Sequence, residues 1–247
     1  MLKSLFNAFR KKEDPLAGYG DLGVDMHSHL IPGIDDGAKT IEDSIALIKE
    51  LQSLGFRKLI TTPHIMSDYY RNTPENILGG LAEVKKAAAE EGIEIELEAA
   101  AEYYVDDGFV KKLESEKLLT LGDNHLLFEI SYINCPDNIN DIIFRMMVLG
   151  YKPVMAHPER YPFWYTNFEQ YQRFHDQGVL LQLNINSLSG YYGIEAKKTA
   201  EKLIEHGLVS LLGTDCHHLR HIEGLKRGLK EKSLKKVLGA ELLNRSL

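Results

Sequence analysis

A parallel α/β barrel is the fold class that this 247-residue sequence predicts, and three observations carry the prediction. Segments of helical period and segments of strand character alternate about seven times along the chain. Several strands are short apolar runs, such as Val154-Met155-Ala156 and Leu208-Val209-Ser210-Leu211-Leu212, as expected where a parallel sheet is covered on both faces. Strand after strand also runs out into a histidine or a carboxylate. In a closed ring of βα units such residues share one rim, where the βα loops converge. A doubly wound open sheet is the structural alternative, and it would scatter the same set along a line.

Taken in order, residues 1–20 form an extension. Leu2, Leu5, Phe6 and Phe9 have helical spacing, with Lys3, Arg10, Lys11 and Lys12 beside them. The expectation is a short basic amphipathic helix docked on its own domain or on a neighbouring subunit. Peripheral membrane contact through residues 1–12 is the functional alternative, although stable anchoring normally needs more than one signal. Asp14-Pro15 through Gly20 reads as a linker. Residues 21–247 then read as one domain.

That domain opens on Asp25-Met26-His27-Ser28-His29, extended after apolar Val24. Strand side chains alternate, so the two imidazoles point the same way and can share one metal ion. The turn Gly33-Ile34-Asp35-Asp36-Gly37 brings carboxylates back towards them.

A helix from Thr40 to Leu54, stopped at Gly55, leads to a strand from Lys58 to Thr62 and then Pro63-His64. A helix from Pro74 to Glu91, stopped at Gly92, leads to a strand from Ile93 to Ala101 and then Glu102. A shorter helix from Asp107 to Glu116 precedes the strand that holds Glu129. Ile139 to Leu149 is helical, Gly150 caps it, and Pro153 to Ala156 leads to His157-Pro158-Glu159-Arg160. A helix from Phe168 to Asp176 and a strand from Val179 to Leu183 follow. Glu195 to His206 and Leu208 to Leu212 then give Thr214-Asp215-Cys216-His217. Leu219 to Leu247 reads as terminal helices.

Composition narrows the function classes. A net charge of −7 offers no basic field for nucleic acid. No apolar run approaches a transmembrane helix, and the first residues lack a signal-peptide core. Two cysteines, Cys135 and Cys216, make no disulfide framework, and a reducing cytoplasm fits. A cysteine-dependent phosphatase is excluded, because six residues beyond these cysteines stand Asp141 and Ile222 rather than arginine.

Five of the ten histidines, His27, His29, His64, His157 and His217, stand at strand ends beside carboxylates. Imidazole and carboxylate without thiolate suit Mn, Fe or Zn better than Ca. His125, His175, His206, His218 and His221 fall outside the pattern, with the last two near enough in sequence to reach the mouth. So many ligands imply roughly two or three ions, whose spacing of about 3.5–4 Å clamps an in-line phosphoryl displacement. Developing charge on the phosphate calls for a fixed guanidinium. Arg160 stands in the loop after His157, and an ion pair with Glu159 is its alternative role. Tyr161, Phe163, Trp164 and Tyr165 on one side, and Tyr69-Tyr70-Arg71 on the other, are the aromatic runs available to wall a pocket or pack the rim.

These residues resemble the PHP (polymerase and histidinol phosphatase) superfamily, and within it the bacterial manganese-dependent protein-tyrosine phosphatases of capsule and exopolysaccharide systems. Asp-x-His-Ser-His with Asp-Asp-Gly resembles the opening motif, and Thr62-Pro63-His64 the second. Ala101-Glu102-Tyr103-Tyr104, Glu129 within Phe-Glu-Ile-Ser, Ala156-His157-Pro158-Glu159-Arg160 and Thr214-Asp215-Cys216-His217 resemble those that follow. The resemblance covers Val24 to Leu219. It implies a distorted seven-stranded barrel holding three divalent ions, manganese first, with iron or zinc as alternatives. It assigns His27, His29, Glu102 and Asp215 to one ion. Glu102, Glu129 and His157 go to a second, and Asp36, His64 and His217 to a third. Glu102 bridges, and Arg160 binds phosphate. A second phosphate-binding arginine is also implied, for which Arg220 is the nearest residue at a shifted spacing.

The implied reaction is hydrolysis of phosphotyrosine by a metal-bound hydroxide. The implied partner is a bacterial tyrosine kinase at the inner membrane. Two alternatives stand beside it. One is histidinol-phosphate phosphatase, whose cationic substrate calls for an extra acidic group. The other is a metal-stabilised scaffold that docks a kinase without catalysis.

Overall fold

The computed structural model describes residues 15–247, and the amphipathic segment expected over Met1 to Lys12 lies outside them. The described residues form a mixed α/β fold whose strand pairs are all parallel. In order they are β1 (Val24–Asp25), α1 (Ile41–Ser53), β2 (Lys58–Thr61), β3 (His64–Ile65), α2 (Pro74–Glu90), β4 (Glu96–Ala99) and β5 (Glu102–Tyr104). There follow α3 (Asp107–Ser115), β6 (His125–Glu129), α4 (Ile139–Val148), β7 (Lys152–Ala156), α5 (Glu169–Asp176) and β8 (Leu180–Asn184). The chain ends with α6 (Ile185–Leu188), α7 (Ile194–Glu205), β9 (Val209–Gly213), α8 (Leu219–Gly228) and α9 (Lys232–Leu238).

The strand count corrects the expected seven. Among the described residues nine strands lie in two sheets, ordered β1-β2-β4 and β3-β5-β6-β7-β8-β9. Two interruptions account for the excess. Thr62 and Pro63 separate β2 from β3, and proline has no N–H to give a ladder. Ala100 and Ala101 likewise separate β4 from β5. Main-chain hydrogen bonds nonetheless cross these breaks: Thr62 N donates to Ser28 O (2.6 Å), Ala100 N to Thr61 O (2.9 Å) and Glu102 N to Pro63 O (3.1 Å). At the other edge, Ser28 bridges Cys216 in parallel. Asp215 N donates to His27 O (2.7 Å) and His29 N to Cys216 O (3.0 Å). The exits of the first and last strands are therefore side by side.

The ends of α1 to α5 and α7 match the sequence pattern within two residues, and at α1 and α2 the N-caps are chemically explicit. Thr40 and Asp43 form a reciprocal capping box at α1, and Thr73 and Asn76 form another at α2 with Pro74 in the first turn. The four-residue α6 was too short to show a helical period.

Alternation along the strands sorts the core into two clusters. Met26, Ile60, Leu127, Val154, Ala156 and Leu211 make an inner one, while Leu126, Phe128, Met155 and Leu212 join the larger cluster with the helices. Leu243 and Leu247 pack against the inner cluster. Beside them, fully buried Asn244 accepts from Leu212 N (2.9 Å) and donates to Leu212 O (2.7 Å) and Val24 O (3.0 Å). Replacing Asn244 with Ala leaves three main-chain groups unpaired in an apolar setting. The expected loss is roughly 2–4 kcal/mol in a urea melt; a loss below about 0.5 kcal/mol would show that water replaces those bonds.

The stretch expected as a linker is docked where it is described. Tyr19 is buried, stacks on Phe56 at 5.1 Å and donates to Leu225 O (2.8 Å). Among the described residues no helix is long and apolar enough to cross a membrane.

Candidate metal centre

Glu102 is the hub. It begins β5, is fully buried, and pairs in register with His64 of β3. Its Oε2 lies 3.1 Å from His27 Nε2, 3.2 Å from His64 Nδ1 and 3.5 Å from His29 Nε2, and its Oε1 lies 3.1 Å from His157 Nε2. Asp215 Oδ1 stands 3.4 Å from His27 Nε2, His29 Nε2 and His217 Nδ1. Asp36 Oδ1 is 3.3 Å from His217 Nε2 and 3.5 Å from His64 Nε2. Glu129 reaches His64 Nδ1 at 3.1 Å and His157 Nε2 at 3.8 Å. All nine residues expected at the rim therefore stand together.

Two local features put them there. The Asp35-Asp36-Gly37 turn presses onto His29 so closely that a Cβ on Gly37 would collide with the His29 main chain. His157 and Asp215 both adopt left-handed backbone, with φ of 35° and 50°. Non-glycine residues pay for that conformation, and such strain clusters at functional sites.

The donors fit divalent cations. Their outer nitrogens are held so that the inner ones converge. His27 Nδ1 pairs with Gln182 Oε1 (2.9 Å), His29 Nδ1 with Asp35 Oδ2 (2.7 Å) and His217 Nδ1 with Asp215 O (2.9 Å). Asn184 holds the other oxygen of Asp215 at 2.9 Å, and Asp25 anchors the same loop by accepting from Thr214 N and Oγ1. Buried His64 Nδ1 has two carboxylate oxygens within 3.2 Å, yet forms a well-directed hydrogen bond with neither. That is the orientation of ligands aimed at a shared point. Four sets have donor atoms within 4.8 Å of one another: His29/Asp36/His64/His217, His27/His29/Glu102, His27/His157/Asp215 and His64/Glu102/Glu129. His29 thus sits with Asp36, His64 and His217 as well as with His27, which the sequence motifs did not separate.

Electrostatics follow from the same crowding. Burial works against the charged form of His64, but Glu102 and Glu129 outweigh it and raise its pKa to about 9. Burial likewise opposes ionisation of Glu102, and His27 and His64 overcome it, holding the carboxyl well below its usual range. A histidine raised in this way contributes stability fully present below its unfolded value near 6.5 and lost as pH rises through about 9. Chelated protein is therefore expected to lose roughly 5–10 °C in Tm between pH 6.5 and 9. Divalent ions should flatten that slope by replacing the protons, and a flat profile in the chelated protein would contradict the pairing. Asp35 offers a second test. Exchanging it for Asn weakens the partner that orients His29, and divalent-ion affinity by calorimetry should fall about 10–100-fold. Unchanged affinity would mean that Asp35 merely fills space.

The cluster opens into a cavity of about 400 Å³. Asp36, His64, Glu129, His157, Asp215 and His217 line it, with Met66, Tyr70, Tyr132, Arg160, Tyr192, His218 and His221. Arg160 does not pair with Glu159. Its Nη1 lies 2.6 Å from Asp215 Oδ2, and its guanidinium stacks over Tyr192 at 4.0 Å and Tyr132 at 5.1 Å. Glu159 turns the other way, accepting from Asn184 N (3.0 Å) and Ser187 Oγ (2.6 Å), and burial pushes its pKa up to about 7. Arg220 is exposed and lines a neighbouring groove with Lys39 and Leu219, outside this cavity. Of the expected aromatic walls, Tyr70 stacks on His64 and faces the cavity. Tyr161 and Trp164 are buried packing residues. Tyr132, Tyr192, Gln182, Asn184, Asp25 and Asp35 were not singled out from sequence as site residues. Of these, Asp25 and Asp35 carry a signal in the sequence, Asp25 as the first residue of the opening motif and Asp35 as the second carboxylate of the turn, whose buried side chain meets His29.

A family model for capsular polysaccharide synthesis, CpsB/CapC, matches residues 23–240, a span that holds all nine clustered residues and Arg160. The chain belongs to the CpsB/CapC family. It is 30% identical over 202 residues to the tyrosine-protein phosphatase CpsB of Streptococcus pneumoniae, covering 79% of this chain and 83% of that one. It is 27% identical over 198 residues to the tyrosine-protein phosphatase YwqE of Bacillus subtilis, covering 80% and 78%. Among solved structures, work on YwqE from B. subtilis and CpsB from S. pneumoniae, described as unique metal-dependent tyrosine phosphatases, gives a TM-score of 0.80 at 27% identity over 88% of both chains. An amidohydrolase from Mycoplasma synoviae shares the fold, with a TM-score of 0.50 at 14% identity over 92% of this chain and 87% of that one. The CpsB/CapC assignment thus joins a parallel α/β scaffold to a His/Asp/Glu cluster of metal-binding composition.

Proposed function

We propose that this CpsB/CapC member is a metal-dependent phosphatase that removes phosphate from phosphotyrosine on protein, with a tyrosine kinase of capsule or exopolysaccharide synthesis as its substrate. The observation that carries the reading is the convergence of five imidazoles and three further carboxylates around Glu102, with a guanidinium beside them in an open cavity. Counted with their interruptions closed, β2/β3 and β4/β5 are two staves of a distorted seven-stave ring. The main-chain bonds between residues 27–29 and 215–216 are its seam. Such a ring accounts for ligands from distant parts of the chain sharing one rim.

Three divalent ions, manganese first, suit a nitrogen and oxygen donor set of this size without thiolate. Glu102 would bridge. His27, His29 and Asp215 would complete one site, Glu129 and His157 a second, and Asp36, His64 and His217 a third. When bound, such ions supply Lewis-acid charge to phosphoryl oxygens and acidify a coordinated water. The rest is done by the chain. Arg160 binds and orients the phosphoryl group with a planar pair of donors. Tyr192 and Tyr132 hold the guanidinium in plane, and Tyr70 with these rings gives the phenyl group an aromatic surroundings. A phenolate leaves readily enough to need no strong general acid.

Metal analysis of the purified protein, with turnover of a phosphotyrosyl peptide before and after chelation, tests the reading. Activity should vanish on chelation and return with divalent ions. Preference for histidinol phosphate over the peptide would replace the proposed substrate, and an inactive but metal-bound protein would favour the scaffold alternative.

A further inference from the structure

Beside Arg160 the cavity holds a buried imidazole that belongs to none of the four ligand sets. His221, on the first turn of α8, is 6% exposed and lines the same cavity as Arg160. Its Nδ1 accepts the main-chain N–H of His217 at 3.1 Å. An imidazole nitrogen that accepts carries no proton, so the neutral ring bears its hydrogen on Nε2. Neighbouring rings fix its plane: His218 lies at 4.1 Å and Tyr191 edge-on at 4.9 Å. The adjacent Arg220 points away from the cavity. Among the described residues Arg160 is therefore the one guanidinium lining it, whereas a transferring phosphoryl group spreads charge over three oxygens that all need donors or cations.

We infer that His221, and not Arg220, is a second phosphate-binding residue of this site, donating its Nε2–H to a phosphoryl oxygen. The inference rests on the phosphatase reading, but it concerns only how the phosphate is held. A neutral donor suits a rim already facing cations: it adds a directed hydrogen bond without adding charge beside His217. Its fixed tautomer means that no proton has to be rearranged when phosphate arrives.

Two isosteric variants of the metal-loaded full chain separate this role from a structural one. His221→Asn keeps an acceptor for the His217 N–H and removes the donor. His221→Gln places an amide N–H near the position of Nε2. Inorganic phosphate binding is read by calorimetry, and KM and kcat with p-nitrophenyl phosphate. His221→Asn should weaken phosphate binding and raise KM about tenfold, with metal content and Tm at parent levels. His221→Gln should stay within about threefold of the parent.

Parent-like phosphate affinity in His221→Asn overturns the inference. So does an equal loss in both variants, or a loss that accompanies loss of metal, because the ring would then only prop His217. If His221→Gln does not fold, His221→Asn decides alone by the same criterion of phosphate affinity at unchanged metal content. A parent that binds phosphate and hydrolyses p-nitrophenyl phosphate, yet spares phosphotyrosyl peptides, overturns the substrate reading and not the role of His221. A parent that binds no phosphate overturns both.

Discussion

Glu102→Gln is expected to lower kcat/KM for an aryl phosphate by about 10³-fold or more, together with a fall in bound metal. The substitution keeps the volume of the side chain and removes one charge. That charge faces His27, His29, His64 and His157, all within 3.5 Å of its two oxygens. Among the described residues no other carboxylate approaches four imidazoles, Asp215 meeting three and Asp36 and Glu129 two each, so no neighbour takes over the bridging position. In the chelated protein the same change strands protonated imidazoles in a dry setting. Breaking a buried pair from one side costs roughly 3–5 kcal/mol. Folded-state stability should therefore drop at pH 6, where His27, His29 and His64, all raised above the ordinary imidazole value by their carboxylate neighbours, hold their protons, and the deficit should shrink as pH rises through about 9, where His64 gives its proton up. Full metal content with activity within tenfold of the parent would remove Glu102 from the centre, and with it the shared-ion arrangement.

What could be read in advance, and what could not, follows from the range of the interactions. His27 and His29 are legible because an extended backbone alternates its side chains, a rule that needs two residues and no partner. The strand-end positions of His64, Glu102, Glu129, His157 and Asp215 are legible because helical period and apolar runs bracket them. The sheet breaks at Pro63 and Ala100–Ala101 are less so. A proline forbids one ladder bond, but whether a strand resumes after it depends on the neighbouring strand.

Arg160 shows the sharper limit. Glu159 is its neighbour in sequence, but both lie in a single 3₁₀ turn, Pro158–Arg160, where successive side chains diverge by about a third of a turn. One goes to Ser187 and Asn184, the other to Asp215. Of the residues that orient the cluster, Gln182 and Asn184 are ordinary polar residues with no ligand signature, and Asp25, although it opens the Asp-x-His-Ser-His motif, shows nothing of its partner. They acquire a role through distant contacts, Asn184 to Asp215 31 positions away and Asp25 to Thr214 189 positions away. Arg220 stands outside the cavity for the converse reason: proximity in sequence to His217 does not set the direction in which the first turn of α8 points it.

Arg160→Lys carries the second large effect, expected at about 10²–10³-fold in kcat/KM with metal content at the parent level. Lysine keeps the charge, so a purely electrostatic role predicts a loss of only a few-fold. The structure argues for more. The guanidinium lies between Tyr192 and Tyr132, and one of its nitrogens is already committed to Asp215 at 2.6 Å, which leaves the rest of a rigid fork facing the cavity. An ammonium cannot stack in plane between two rings while presenting two parallel donors. It would also follow Asp215 as a point charge, away from the phosphoryl position. The loss should fall on kcat as well as KM, because donors placed for the transition state are worth more there than in the ground state. Arg160→Ala should not be much worse than Lys if geometry rather than charge is what matters, and it should release Asp215 without lowering metal affinity. Lysine activity within about threefold of arginine would show that any cation suffices, and the two tyrosines would then be packing around the guanidinium and not a clamp on it.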